Sequence, residues 1–180
     1  YTSGSTGQPK GVMLSFYALG VAASGASEAM EMYSSDRMLS YLPLAHVFER
    51  YVVEQSSIHI GFQLFFAEDL TTFVSDLRRA RPTVFVSVPR LWSKFQLGIF
   101  KKMPPKKIER MLKIPIVSKM VKKKILTGLG LEYCRFAGSG SAPLSADIIN
   151  WYNRLGLELL EGYGMSENFA YSHFSFPGRA

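Results

Sequence analysis

The chain has 180 residues, 47% of them hydrophobic, enough to bury a core as one domain or as part of a larger one. A single cysteine, Cys134, excludes an internal disulfide and fits a reducing, cytoplasmic setting, and no apolar run approaches the roughly 20 residues of a membrane span. The net charge of +7 is lopsided: residues 101–124 hold ten Lys/Arg against one acid, Glu109, a net +9, while the rest of the chain sums to −2.

The chain opens on YTSGSTGQPKG, a loop with four hydroxyl residues, three glycines and a lysine between Thr2 and Gly11. The stretch after it is rich in Ala and other small residues and predicts a helix over about 15–32, with Ser15 as N-cap, packed closely on a flat neighbour. RMLSYLPL (37–44) predicts a buried strand stopped at Pro43. Residues 46–60 have a helical pattern, 61–66 a strand, 70–80 a helix, and the β-branched run 83–88 a strand ended by Pro89. A helix follows over 90–100. The basic stretch, broken by Pro104-Pro105 and Pro115, reads as a helical insertion over 101–127. Residues 132–140 predict a strand running into a glycine turn, 145–155 a helix capped by Ser145, and 157–164 a strand running into a second glycine turn. The tail after Ser166 has no clear period.

Strands alternating with helices predict an α/β fold, a mostly parallel sheet with helices on both faces. Such sheets bind ligands beyond the carboxyl ends of their strands. The glycine turns at 138–140 and 162–164 lie at such ends, as does His46 after the strand at 37–44.

A loop of Gly with Ser/Thr offers several backbone N–H groups to one anion, and Lys10 adds a cation, which suits a polyphosphate. The alternative on composition is a flexible linker. The spacing Gly4-x-x-Gly7-x-x-Lys10 is not that of a P-loop, and Pro9 fixes the backbone before the lysine.

YTSGSTGQPKG resembles the phosphate-binding signature of the AMP-forming adenylating enzymes: acyl-CoA synthetases, luciferases and peptide-synthetase adenylation domains. YLPLAHVFER (41–50) and TVFVSVPRLWSK (83–94) resemble further motifs of the long-chain acyl-CoA synthetases in particular. GSGSAPLS (138–145) resembles the adenine-side loop and GYGMSE (162–167) the aromatic-Gly-x-[Ser/Thr]-Glu motif. The resemblance covers nearly the whole chain except the basic stretch. It implies part of the large N-terminal domain of an acyl-CoA synthetase-like fold, with ATP and Mg²⁺ as cofactors and coenzyme A as co-substrate. The implied reaction joins a long-chain fatty acid to AMP with release of pyrophosphate, then forms the CoA thioester. A fatty acyl-AMP ligase loading a carrier protein and a non-catalytic nucleotide-binding module are the alternatives.

The resemblance also implies roles. Thr2, Ser3, Gly4, Ser5, Thr6 and Gly7 would hold the β- and γ-phosphates, with Lys10 on them or on the leaving pyrophosphate. Glu167 would bind Mg²⁺, with Thr2 as an added hydroxyl ligand, and Ser166 would lie near the α-phosphate. Gly138, Ser139 and Gly140 would admit one face of adenine, Ser141, Ala142 and Pro143 would finish that wall, and Tyr163, between Gly162 and Gly164 and ahead of Met165, would stack on the other face. A lone histidine after a strand is ordinarily a structural hydrogen-bonder. The motif raises His46 to a partner of the acyl carboxylate or its entry path, and no general base is needed because a carboxylate nucleophile is already ionised.

Phe48, Phe62, Phe65, Phe66, Phe85 and Trp92 are candidates for acyl contact, each more readily plain core. Some relatives place a tryptophan gate four residues after the motif histidine, where this chain has Arg50. The basic stretch has three readings. The first is a solvated charged surface. The second is peripheral membrane contact, with Ile116, Val117, Met120, Val121 and Ile125 on one helical face. Nucleic-acid binding is the weakest, since 101–124 has no aromatics to stack on bases. The family's smaller C-terminal domain, with its adenylation lysine, has no counterpart in these motifs. The chain is therefore expected to be a piece of a larger enzyme, with little ligase activity alone.

Overall fold

A computed structural model describes residues 1–2 and 7–178. After an extended segment, helix α1 spans Phe16–Ala29, and the Ser15 hydroxyl caps it by accepting the Ala18 amide at 3.1 Å. Its small residues have a packing purpose. Ala22, Ala23 and Ala26 are buried, and a Cβ on Gly25 would meet the Tyr171 hydroxyl at 2.3 Å.

Strand β1 (Arg37–Ser40) pairs in parallel with β2 (Gln63–Phe66). It is shorter than expected because the side chain of Glu49 takes both the Ser40 hydroxyl and the Leu42 amide, turning the chain out of the sheet before Pro43. The helix expected over 46–60 divides in two. Glu49–Gln55 is π-helical, and α2 (Ser56–Ile60) follows. The wide turn is visible at Ser56, whose amide and hydroxyl both donate to Tyr51 O, five residues back. Helix α3 spans Phe73–Ala80.

The second sheet has the order β3 (Val84–Ser87), β4 (Phe136–Ser139), β5 (Leu159–Tyr163), all parallel, and β6 (His173–Phe174), antiparallel to β5. A two-residue strand is too short to show alternation, which is why the tail looked patternless. Thr83, just before β3, donates to Arg37 O at 3.0 Å and accepts the Arg37 amide on its hydroxyl at 2.9 Å, joining the two sheets at β1 and β3.

Between β3 and β4 run α4 (Pro89–Lys102), α5 (Pro105–Leu112) and α6 (Pro115–Leu129). Each starts on a proline, which costs nothing where the amide has no intrahelical partner. The prolines that looked like breaks are therefore helix starts. The basic region also contributes to the core: Ile108, Val121 and Leu129 are buried, and Gly130 (φ +78°) would place a Cβ 2.6 Å from the Leu77 backbone. Helix α7 (Ala146–Leu155) links β4 to β5. Ser145 precedes it in an extended conformation but makes no side-chain capping bond.

Alternation along the strands divides the core in two. Phe85, Ala137 and Leu159 face Trp92, Phe95, Trp151, Tyr152 and Leu155, while Val84, Phe136 and Leu160 face α1 and the π-helical stretch through Ala26, Met30 and Val52. This is the expected α/β sheet with helices on both faces. At the amino ends of the strands Asp36 is buried and accepts from Tyr33 N, Thr83 Oγ1 and the Arg135 guanidinium, which also donates to Met30 O and Glu31 O. No described helix is long and apolar enough to cross a membrane.

Candidate active site

The carboxyl ends of β1, β3, β4 and β5 open onto one cavity of about 290 Å³. One wall comes from Tyr41, Leu42, His46, Val47 and Phe48, and the opposite wall from the glycine turns after β4 and β5, with Val86, Ser87 and Val88 on the cavity wall between. Of the acyl-contact candidates, Phe48 lines the cavity. Phe62, Phe85 and Trp92 are buried in the core and Phe66 is exposed.

The two glycine turns touch each other: a Cβ on Gly140 would lie 3.4 Å from Gly162 O. A Cβ on Gly138 would lie 3.0 Å from Val86 Cγ2, so β4 sits flat against its neighbour. Gly164 is tighter still, with 2.4 Å from an added Cβ to the Ala170 backbone. That contact folds 164–170 into a compact loop, in which Met165 N donates to Asn168 Oδ1 at 3.1 Å and Ala170 N to Met165 O at 2.8 Å. The loop leaves Tyr163, Met165 and Ser166 on the cavity wall and Tyr163 largely exposed, its ring free to stack on a flat ligand. Ser139 is 2% exposed, lines the cavity and has a hydroxyl with no hydrogen-bond partner. An orphaned hydroxyl beside glycine turns fits a ligand carrying a flat ring and polar edges, as a nucleotide does.

Gly138, Ser139, Gly140, Ser141, Gly162, Tyr163, Gly164, Met165, Ser166 and His46 are thus brought together. Ala142 and Pro143 are exposed beyond the rim. Glu167 follows Ser166 in a short 3₁₀ turn (Ser166–Asn168) with its side chain in solvent. Thr2 and Lys10 exchange two backbone hydrogen bonds of 2.9 Å, closing the opening loop at its base, and Gly7 holds a left-handed turn (φ +78°). Neither Lys10 nor Thr2 lines the cavity. Ser3, Gly4, Ser5 and Thr6 lie outside the described residues. Among the described residues no three acidic, His or Cys side chains cluster for a metal.

His46 N donates to Pro43 O at 2.8 Å, and its ring Nδ1 accepts the Phe48 amide at 3.3 Å. A backbone amide can only donate, so Nδ1 is the acceptor in this contact and Nε2 is the ring atom left to meet a ligand. His46 is therefore set up as a donor toward a ligand oxygen rather than as a base at Nδ1. Arg50 is spent on an ion pair with Glu54 at 2.7 Å and is no gate.

Three contributors were not singled out from the sequence, although Tyr41 and Ser87 lie within the motifs at 41–50 and 83–94. Tyr41 donates to Ser87 Oγ at 2.9 Å, and burial pushes its hydroxyl up to about 12, so it stays protonated. Ser87 completes that contact. Glu161 accepts the Leu144 amide at 2.9 Å and anchors the 140–144 loop.

A parallel α/β sheet with paired glycine turns and a cavity at its carboxyl ends has its ligand site where open α/β enzyme folds place theirs. The chain belongs to the AMP-binding enzyme family, which it matches over residues 1–179. It is 36% identical over 187 residues to the peroxisomal long chain acyl-CoA synthetase 6 of Arabidopsis thaliana, covering 93% of this chain and 26% of that one. It is 31% identical over 209 residues to the long-chain-fatty-acid–CoA ligase ACSBG2 of Gallus gallus, covering 98% and 27%. The chain thus spans about a quarter of the length of the curated relatives it matches. Its fold is similar to the inhibitor-bound N-terminal domain of FACL13 from Mycobacterium tuberculosis, with a TM-score of 0.70 and 25% identity over 97% of this chain and 38% of that one. It is also similar to the A-PCP didomain of a carboxylic acid reductase from Segniliparus rugosus in complex with AMP, with a TM-score of 0.69 and 28% identity over 92% and 23%.

Proposed function

We propose that the full-length protein activates a long-chain fatty acid. A carboxylate oxygen attacks the α-phosphorus of ATP and pyrophosphate leaves; the thiol sulfur of coenzyme A then attacks the acyl carbonyl and AMP leaves. The observation that carries this is the make-up of the cavity, with glycine turns, an orphaned Ser139 hydroxyl and Tyr163 on one side, and His46 beside the apolar Val47 and Phe48 on the other. Two anions must meet in the first step, so donors and cations have to be aimed at the phosphates. Ser166 would face the α-phosphate, Thr2 through Gly7 with Lys10 would hold the β- and γ-phosphates, and Glu167 would hold Mg²⁺, which supplies charge neutralisation when bound. His46 Nε2–H would donate to a carboxylate oxygen of the acid. Residues 1–180 would form part of the N-terminal adenylating domain, with a C-terminal domain supplied elsewhere in the protein.

A screen of acids of graded length on the full-length protein, reading pyrophosphate release with and without CoA, tests this. Fatty acids should win and CoA should be consumed. Preference for short aromatic acids sinks the long-chain assignment, and transfer to a carrier protein without CoA favours an acyl-AMP ligase. A non-catalytic module would tolerate loss of Lys10 and Glu167, yet both are present.

Membrane contact is a second proposal, carried by α6. Ile116 and Met120, one turn apart, are 78% and 69% exposed, with Lys119, Lys123 and Lys124 exposed around them. Val121 points inward and Ile125 packs against the core, so the apolar face expected from the sequence is narrower than its spacing suggested. Replacing Ile116 and Met120 by Glu should abolish cosedimentation with anionic vesicles; unchanged binding removes the proposal.

A further inference from the structure

Three carboxylates are buried among the described residues: Asp36, Glu49 and Asp76. Asp36 is paired with Arg135 and Asp76 with Arg79, whereas Glu49, 1% exposed, has no Lys or Arg partner among the described residues. Burying an acid without a cation is unfavourable unless its hydrogen bonds are good ones. Those of Glu49 are specific. One carboxylate oxygen takes the Ser40 hydroxyl and the other takes the Leu42 amide at 3.3 Å, so the carboxylate straddles Tyr41. Tyr41 in turn donates to Ser87 Oγ at 2.9 Å and sets its ring edge-on to Phe73 at 5.1 Å. Directly after Leu42 comes the turn that closes with His46 N on Pro43 O. Tyr41, Leu42 and His46 all line the cavity, and Glu49 does not. Glu49 also opens the π-helical stretch, an irregularity that recurs beside functional sites.

We infer that Glu49 is a positioning residue, whose paired hydrogen bonds to Ser40 and Leu42 hold the Tyr41–Leu42 wall and the His46 turn in place for the acid substrate. The inference rests on the fatty-acid activation proposed above for that cavity. It acts through the pair of hydrogen bonds, and a glutamine keeps both contacts: its amide oxygen accepts from Leu42 N, and its amide nitrogen donates to Ser40 Oγ with the direction of that bond reversed.

The test uses the full-length protein and acid-dependent pyrophosphate release, with KM measured separately for fatty acid and ATP. Glu49→Met keeps the volume and removes the acceptors. It should lower kcat/KM for the acid by about tenfold or more, with KM for ATP moved by less than about threefold. Glu49→Gln should restore kcat/KM to within about threefold of wild type. If Glu49→Met does not fold, Ser40→Ala is read instead and should show the same split between acid and ATP in weaker form. A folded Glu49→Met at wild-type kcat/KM, a Glu49→Gln as impaired as Glu49→Met, or a Ser40→Ala with no effect each overturns the assignment. Wild-type protein that releases no pyrophosphate with any fatty acid overturns the functional proposal instead. Glu49 is then judged by amide hydrogen exchange. Residues 42–46 should exchange about tenfold faster in Glu49→Met and not in Glu49→Gln, and unchanged protection in Glu49→Met removes the positioning role.

Discussion

The Trp92 indole Nε1 donates to the carbonyl oxygen of Gly138 at 3.1 Å, inside a core where Trp92 is fully buried. The bond ties α4 to the strand whose glycines form the cavity wall. Tyr152 reinforces it by donating to Trp92 O at 2.8 Å, with its ring 4.9 Å from the indole. Trp92→Phe keeps most of the apolar volume but removes the bond to the Gly138 carbonyl. It should destabilise the protein by about 1–3 kcal/mol, read as a drop in Tm or in the denaturant midpoint. An unchanged midpoint would mean that the bond contributes nothing net.

The glycines of the wall are predicted to differ in tolerance. At Gly138 the obstacle is the two Val86 methyl groups, side chain and not backbone, so Gly138→Ala should fold and weaken ATP binding, and Val86→Ala in the same protein should recover part of the loss. At Gly164 the obstacle is the Ala170 backbone, which cannot rotate away. Gly164→Ala should therefore disrupt the 164–170 loop, with a stability loss of about 2 kcal/mol or more. Equal behaviour of the two variants in melting and ATP titration contradicts the contacts described.

Lys10 and Glu167 are predicted to serve chemistry and not folding, because both are exposed. Lys10→Ala and Glu167→Gln should each leave Tm within about 1 °C, as for other surface changes. Each should lower the pyrophosphate-release rate by about 10²-fold, the scale of losing one group that stabilises developing charge. Glu167→Gln should also need more Mg²⁺ for half-maximal rate. Wild-type rates in both variants would leave the phosphate and metal assignments without support.

Acid stability should turn on Asp36. Burial acts to raise its pKa, but the Arg135 and Thr83 side chains and the Tyr33 amide, helped by the Arg135 charge, outweigh burial and hold it below the usual carboxylate range. A lowered folded value contributes stability above the unfolded pKa of about 3.9 and loses it as pH falls through the folded value. Asp36→Asn should flatten Tm against pH below about pH 4. Glu49 has the opposite sign. Burial raises it, against the Ser40 hydroxyl, the Leu42 and Tyr41 amides and the nearby His46. Wild type therefore loses stability as Glu49 ionises with rising pH, above about pH 4.3. The Tm of Glu49→Gln should gain on that of wild type between pH 4 and 7.5; a constant gap would show that Glu49 does not titrate differently on folding.

Most of the elements were legible along the chain because period and punctuation are local. Ser15 before an Ala-rich run gave the start of α1, and the β-branched run before Pro89 gave β3. The glycine turns were legible because they sit where strands stop. What failed to show were features set by long-range partners. The π-helical turn needs Ser56 to reach back to Tyr51, β6 needs β5 beside it, and β1 ends early because Glu49 captures Ser40 and Leu42.

The sequence alone determined the family and the α/β order, because those depend on spacing within short motifs. Only the tertiary structure decided which of the motif residues share a cavity. It placed His46 and Ser139 on facing walls of one cavity, left Trp92 and Phe85 in the core, and set the buried Glu49 behind the His46 turn. The physical reason is that a side chain's burial and hydrogen-bond partners come from strands far apart in the chain and adjacent in the sheet, as Ser87, Ser139 and Glu161 are across β3, β4 and β5.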